Sequence, residues 1–383
     1  MSRALSPRDP DSERSGLVKP CIALLTNMPS PRYYVTVVSG LEEVAWGELQ
    51  ETLQEPRLVR TERGRVFFDS PSAPQDLLSL RSVENAHAYV GEFGGITADA
   101  ESLEHIRRQV AQLPLDDQVA MYESVVGPKP HPSFRVTARR TGTHDFNSVH
   151  VAAAAGAGVI DRCGWCVDLS GHDLEVRVDV RQDTCLVGLR LSDEALSRRS
   201  RVEHAPASLK STVAHCMIRL VGFRPEDVFL DPMCGAGTIL VERGALGFPR
   251  LLVGGDRDER AVAKAAVNLQ DAVAEASGAA RSAHLLGWDA RYIPLARGSV
   301  DRIVCNLPWG RRAGSHLVNV HLYPGFVREV GRLLAEGGKA ALLTAEKQLI
   351  TRLIHRERRL TLTDVRPIQI GGLCASIYVV KRV

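Results

Sequence analysis

Two rhythms of apolar and polar residues run along this chain. In the first half, short β-rich runs alternate with stretches at helical spacing. Tyr33–Val38 reads as a strand, and Leu41, Val44, Ala45, Leu49 and Leu53 mark one face of a helix. Arg65–Asp69 reads as a second strand closed by a Pro71/Pro74 turn, and Asp76–His87 as a second helix. Strand, helix, strand, helix over residues 33–100 predicts a small α+β module. After a Pro-rich joint (Gly127, Pro128, Pro130, Pro132), residues 101–190 continue with strand Phe134–Ala138 and a basic turn Arg139-Arg140-Thr141-Gly142. A small-residue helix, Val149–Arg162, and two half-exposed strands, Glu175–Val180 and Thr184–Leu189, complete this second module. A basic connector over residues 191–206 carries Arg198, Arg199 and Arg201, and an amphipathic helix, Ala207–Leu220, follows.

From residue 207 the rhythm changes. Val228–Leu230, Leu251–Gly255, His284–Gly287, Arg302–Cys305 and Ala340–Thr344 are short apolar runs separated by helical stretches. Buried strands alternating with helices predict a doubly wound, mostly parallel sheet with right-handed crossovers. Leu360–Ile370 and Ser376–Val380 flank Gly371-Gly372 and predict a terminal antiparallel hairpin.

Composition adds bounds. At 383 residues the chain exceeds one ordinary core, and 44% hydrophobic with 24% charged residues excludes a disordered or membrane-embedded class. No apolar run approaches the ~20 residues that span a bilayer. Residues 1–32, rich in Pro, Ser and charge, read as a flexible leader of a cytoplasmic protein, because the apolar patch Cys21–Leu25 is too short for a signal peptide. A net charge of +3 is compatible with RNA binding without arguing for it. Cys163-Gly164-Trp165-Cys166 has C-x-x-C spacing, but no second pair follows and tetrahedral zinc needs four ligands; the expectation is a helix end, and no metal.

Chemistry concentrates in two turns. The first, Asp231-Pro232-Met233-Cys234-Gly235-Ala236-Gly237-Thr238, follows the first strand of the second rhythm and opens a helix. At such a switch point a doubly wound sheet binds its ligand. Glycine there permits a tight turn and close approach of backbone to ligand. A dinucleotide fold would want a third glycine where Leu240 stands and would leave Asp231 without a purpose; an aminoacyl-type nucleoside cofactor gives Asp231 an ammonium partner. Asp256 ends the second strand ~20 residues later, where an acid holds ribose hydroxyls. Asp289 ends the third and could accept from an adenine amine.

The second turn is Asn306-Leu307-Pro308-Trp309-Gly310 at the fourth strand end. An exocyclic base amine is a poor nucleophile because its lone pair is delocalised into the ring. Two acceptors on its two N–H hydrogens, the Asn306 side-chain oxygen and the Leu307 carbonyl, would aim that lone pair at an electrophilic methyl. Pro308 biases Leu307 towards extended geometry, and Trp309 offers a face for a flipped base.

These motifs resemble the amino-methyltransferase branch of the S-adenosylmethionine-dependent, Rossmann-like methyltransferases, and within it the THUMP-domain enzymes that make N2-methylguanosine in transfer RNA. The segment from Phe134 to His144, the Ala/Gly helix and the paired strands up to Leu191 look like a THUMP module, and residues 33–100 like the ferredoxin-like domain preceding it. Glu203-His204-Ala205-Pro206-Ala207-Ser208-Leu209 and Leu322-Tyr323 are similar to further family segments. The resemblance implies an α/β fold: a Rossmann-like methyltransferase domain, 207–383, preceded by α+β ferredoxin-like and THUMP modules.

It further implies that Asp231, Met233, Cys234, Gly235, Gly237, Thr238, Asp256, Arg257, Asp289, Ala290 and Asn306 contact S-adenosyl-L-methionine, with His204 and Pro206 lining the cofactor side. Asn306, Leu307, Pro308 and Trp309 would hold the guanine; the commonest form of this turn is Asn-Pro-Pro-Tyr, from which the chain departs at Leu307 and Trp309. Arg139, Arg140, Arg198, Arg199, Arg201, Arg311 and Arg312 would meet RNA phosphates. The expected partner is tRNA, bound by a monomer with no helper subunit evident. Ribosomal RNA guanine-N2 methylation and an RNA-binding protein with an inactive methyltransferase fold stand as alternatives.

Overall fold

The structure, a computed structural model, describes residues 30–128, 132–192, 194–198, 209–274, 282–309 and 315–383. Its first half is built from β1 (Arg32–Thr36), α1 (Glu42–Thr52), β2 (Arg57–Glu62), β3 (Arg65–Asp69), α2 (Pro74–Leu78), β4 (Asn85–Phe93), α3 (Glu101–Val110), α4 (Leu115–Val126), β5 (Ser133–Thr141), α5 (Ser148–Cys163), β6 (Cys166–Val167), β7 (Leu174–Arg181) and β8 (Thr184–Arg190). The eight strands form one sheet in the order β2-β3-β1-β4-β8-β7-β5-β6. The antiparallel β4–β8 ladder, running from His87 opposite Arg190 to Phe93 opposite Cys185, therefore joins the two expected modules edge to edge. They also share one core, in which Tyr33, Val35 and Phe68 belong to the same buried cluster as Phe134, Val176 and Val187.

Two local expectations are corrected. The helix expected over Asp76–His87 is only the five-residue α2, and Asn85–Phe93 is a strand between β1 and β8. Ala86, Ala88 and Val90 join the helix-covered core while His87 stacks on Tyr34 across the other face, the period-two alternation of a strand. Arg139, Arg140 and Thr141 are likewise the end of β5 rather than a turn. Adjacent strand residues point to opposite faces, so the two arginines do not make one patch.

The second half comprises α6 (Ser211–Val221), β9 (Val228–Asp231), α7 (Thr238–Ala245), β10 (Leu251–Asp256), α8 (Glu259–Ala274), β11 (Ser282–Gly287), β12 (Val300–Asn306), α9 (His316–Leu333), β13 (Leu334–Thr344), α10 (Lys347–Arg356), β14 (Leu360–Ile370) and β15 (Leu373–Arg382). The sheet order is β11-β10-β9-β12-β13-β15-β14, parallel except that β15 runs antiparallel to β13 and β14. Separate apolar clusters cover its two faces. The order reverses between β9 and β12, a topological switch point where strand ends leave a crevice. Gly371 and Gly372 close the β14–β15 hairpin at φ +54° and +80°, the left-handed pair a two-residue turn needs. Among the described residues no helix is long and apolar enough to cross a membrane.

Polar contacts fasten the two halves. Glu48 of α1 is 5% exposed and accepts from the backbone N–H groups of Arg81 (2.9 Å) and Ser82 (2.7 Å) and from the Ser82 hydroxyl. Its carboxylate lies 3.2 Å from Nε2 of the fully buried His215 on α6. Arg81 in turn pairs with Glu242 of α7 at 3.0 Å. At the rim, Arg366 of β14 meets Glu43 of α1.

Candidate active site

A cleft of about 640 Å³ opens at the carboxyl ends of β9, β10, β11 and β12, roofed by α9 and the β14–β15 hairpin. The turn after β9 is held from behind: Cys234 N–H donates to the Gly255 carbonyl at 2.9 Å, and Gly235 N–H to the Asp256 carboxylate at 2.9 Å. The two glycines there do different things. Gly235, at φ +52° with open space where a Cβ would stand, forms cleft wall. Gly237, at φ +81°, caps α7, and an added Cβ would lie 3.0 Å from the Cβ of Ala265 on α8, so this glycine serves helix packing. Met233 and Asp256 line the cleft, whereas Asp231, Cys234, Gly237 and Thr238 lie behind its wall.

Asp231 is 1% exposed. Burial drives its carboxyl well above the usual range, the nearby Asp256 charge adds to this, and one hydrogen bond from Met233 N–H only partly offsets them. A buried acid in that state favours a cation beside it. S-Adenosylmethionine carries two, an α-ammonium and a sulfonium; with open space over Gly235 and the carboxylates of Asp256 and Asp289 on the cleft lining, the residues present fit this group.

A side chain with no motif of its own shapes the floor. Trp288, just past β11, donates its indole N–H to the Pro232 carbonyl at 3.0 Å. Its ring lies so close to β10 that a Cβ on Gly255 would stand 2.0 Å from Cε2. Gly254-Gly255 inside a strand was the available signal, since glycine there marks close approach by a neighbour. Asp289, Ala290 and Arg257 all line the cleft. The Asp289 carboxylate is gripped by Arg291 at 2.6 Å, and that bond holds its pKa below the ordinary value.

Opposite, β12 delivers Asn306 to the cleft. The following turn is fastened by Leu307 N–H to the Leu343 carbonyl (2.9 Å) and by two donors on the Pro308 carbonyl, Asn319 Nδ2 at 2.9 Å and the Tyr323 hydroxyl at 2.7 Å. Tyr323 also bonds Thr344 Oγ1 at 2.7 Å. Asn319 and Tyr323, both buried on α9, are functional candidates that motif reading passed over; polar residues on an otherwise apolar helix face were their only trace. Trp309 packs against the core, lines the cleft and donates its indole N–H to Asn306 Oδ1 at 3.2 Å.

Known proteins resemble this chain in both halves. Residues 101–190 match the THUMP domain family, and residues 198–375 match UPF0020, described as an RMKL-like methyltransferase domain. A curated tRNA (guanine(6)-N2)-methyltransferase of Thermus thermophilus is 35% identical over 257 residues, covering 65% of this chain and 72% of the bacterial protein. The chain belongs to the THUMP-domain methyltransferases.

A second member, the tRNA (guanine(6)-N(2))-methyltransferase THUMP3 of Bos taurus, is 35% identical over 261 residues, 65% of this chain and 51% of the bovine protein. The chain thus spans about half the length of the bovine relative it matches. The crystal structure of TrmN from Thermus thermophilus superposes with a TM-score of 0.74 at 28% identity, covering 92% of this chain and 99% of that one. In this THUMP-domain methyltransferase the expected RNA contacts are spread out. Arg139 is exposed, whereas Arg140 donates to the Gly142 carbonyl of its own loop at 2.5 Å. Arg198 is exposed beside a second cleft that Arg81 also lines. Arg199, Arg201, Arg311, Arg312, His204 and Pro206 lie outside the described residues.

Proposed function

We propose that this protein transfers the methyl group of S-adenosyl-L-methionine to the exocyclic N2 amine of a guanosine in tRNA, at position 6 as in the names of its relatives. The observation that carries the reading is the facing of two walls across one cleft: Met233, Gly235 and Asp256 at the ends of β9 and β10, and the Asn306–Trp309 turn after β12. Bound there, the cofactor supplies an electrophilic methyl on a cationic sulfur.

The protein's own groups do the rest. Asp231 balances positive charge, and Asp256 accepts from ribose hydroxyls while bracing Gly235. Asn306 Oδ1 and the Leu307 carbonyl accept the two amine hydrogens, and Trp309 stacks on the flipped base. The Pro308 carbonyl is taken by Asn319 and Tyr323 and holds the turn instead. Asn306 takes no proton before transfer, because an amide has no useful basicity near neutral pH; the nitrogen, once methylated, is cationic and acidic enough to release its proton to solvent. Sequence-independent grip on RNA falls to the eight-stranded front sheet and its arginines.

Purified protein, S-adenosylmethionine labelled in the methyl group and an unmodified tRNA transcript test the reading. Digestion to nucleosides and mass spectrometry should find the label in N2-methylguanosine. Label in ribosomal RNA and not in tRNA, or none in any guanosine, would overturn it.

A further inference from the structure

The role of Asn306 depends on which end of its carboxamide faces the substrate. The two ends have nearly the same size, yet one accepts and the other donates two hydrogens. With the oxygen inward, Asn306 receives a hydrogen of the base amine. Flipped, its own N–H hydrogens would confront those of the amine, and the contact would turn repulsive. A half-exposed asparagine at a strand end is free to choose unless something selects the flip.

Resting on the proposed function, we infer that the indole N–H of Trp309 is that selector: a positioning group that locks Asn306 with its oxygen aimed for the substrate amine. Nε1 of Trp309 stands 3.2 Å from Asn306 Oδ1. An indole nitrogen is a donor only, so the carboxamide atom it faces must be the oxygen, whichever way the amide is first drawn. Amide oxygen has two lone pairs, and accepting from Trp309 leaves one for the amine.

The donor is on a firm mount. The Trp309 ring packs against the apolar cluster around α6 and β15. The chain just before it is held at the Pro308 carbonyl by Asn319 and Tyr323. Neither of the other two large aromatic residues in this place would do the same. Phenylalanine has no donor, and a tyrosine hydroxyl both donates and accepts, so it would tolerate either flip. Tryptophan at this position thus adds an orientation function to the stacking face.

The test keeps the shape and removes the hydrogen. In the full-length protein Trp309 is replaced by β-(3-benzothienyl)alanine, an isostere with sulfur in place of the N–H; Trp309→Phe is the genetically encoded counterpart. The isostere should lower kcat about tenfold, with KM for tRNA and affinity for S-adenosylmethionine nearly unchanged. Loss of the donor alone would leave half the amides correctly turned, but ring sulfur is a weak acceptor and favours the amino end by about the worth of one net hydrogen bond. In an Asn306→Asp background both ends of the side chain are oxygens and no wrong flip exists. There the same replacement should cost less than about threefold, the coupling expected of residues that act through one another. Parental kcat for the isostere, or the same tenfold loss in both backgrounds, would overturn the inference while leaving the function standing. A parent protein that forms no N2-methylguanosine would overturn the function and the inference together.

Discussion

Asn306→Ala should lower the rate of methyl transfer roughly 10²–10³-fold, about 2.7–4 kcal/mol by the measured worth of one preorganised polar contact at a reacting centre, and leave affinity for S-adenosylmethionine nearly intact. Asn306 ends β12 at the cleft, half-exposed, and among the described residues its side-chain oxygen bonds only within its own turn. The turn itself is held by the Leu307 N–H and the Pro308 carbonyl, main-chain groups the substitution leaves in place. On the proposed function, what disappears is the acceptor that draws the amine lone pair out of conjugation, an interaction strongest as the transition state forms. Asn306→Asp keeps acceptors and should retain partial activity. Single-turnover rates at saturating tRNA, with calorimetry for the cofactor, measure both quantities. A normal rate for Asn306→Ala would make the turn merely structural.

The largest effect on stability is expected from Glu48→Ala, roughly 3–5 kcal/mol, the usual cost of removing one partner from a buried charged group. The substitution leaves the N–H groups of Arg81 and Ser82 without their acceptor and takes the carboxylate away from the buried ring of His215 inside the seam between the two halves. Burial alone would raise the Glu48 carboxyl, but His215, Ser82 and the Arg81 N–H outweigh it and hold the group down to about 2. A carboxyl whose folded pKa lies below its unfolded value of about 4.3 stabilises fully above that value. The contribution fades as pH falls towards 2. Parent stability should therefore climb between about pH 2 and 5, and the variant should climb less over the same range. Thermal unfolding across that range measures the difference; a variant within 0.5 kcal/mol of the parent, about the effect of an ordinary surface change, would show that the seam does not depend on Glu48.

The methyltransferase half was largely legible along the chain because parallel strands buried on both faces read as short continuous apolar runs, and Val228–Leu230, Leu251–Val253 and Ile303–Cys305 are such runs inside β9, β10 and β12. Their acids and amide fall at carboxyl ends, so chain position alone brings Asp256 and Asn306 to one crevice. The front half was less legible. Asn85–Phe93 is a strand because β1 and β8 lie on either side of it, and β8 lies about a hundred residues away, beyond the reach of local pattern.

The same limit hid parts of the site. Trp288 over Gly255, Arg291 on Asp289, and the α9 residues Asn319 and Tyr323 on Pro308 depend on packing between distant elements. Trp309 was visible as a face, but its N–H partner was not, because the direction of an indole is set by the core it packs against.

The most direct measurement uses a tRNA whose guanosine 6 is replaced by inosine, a nucleoside that differs from guanosine only in lacking the 2-amino group. With every other contact to the RNA preserved, the transcript should bind as well as the unaltered one and accept no methyl group from S-adenosylmethionine. Methyl acceptance at the normal level would contradict the account, since the atom it names as nucleophile is absent.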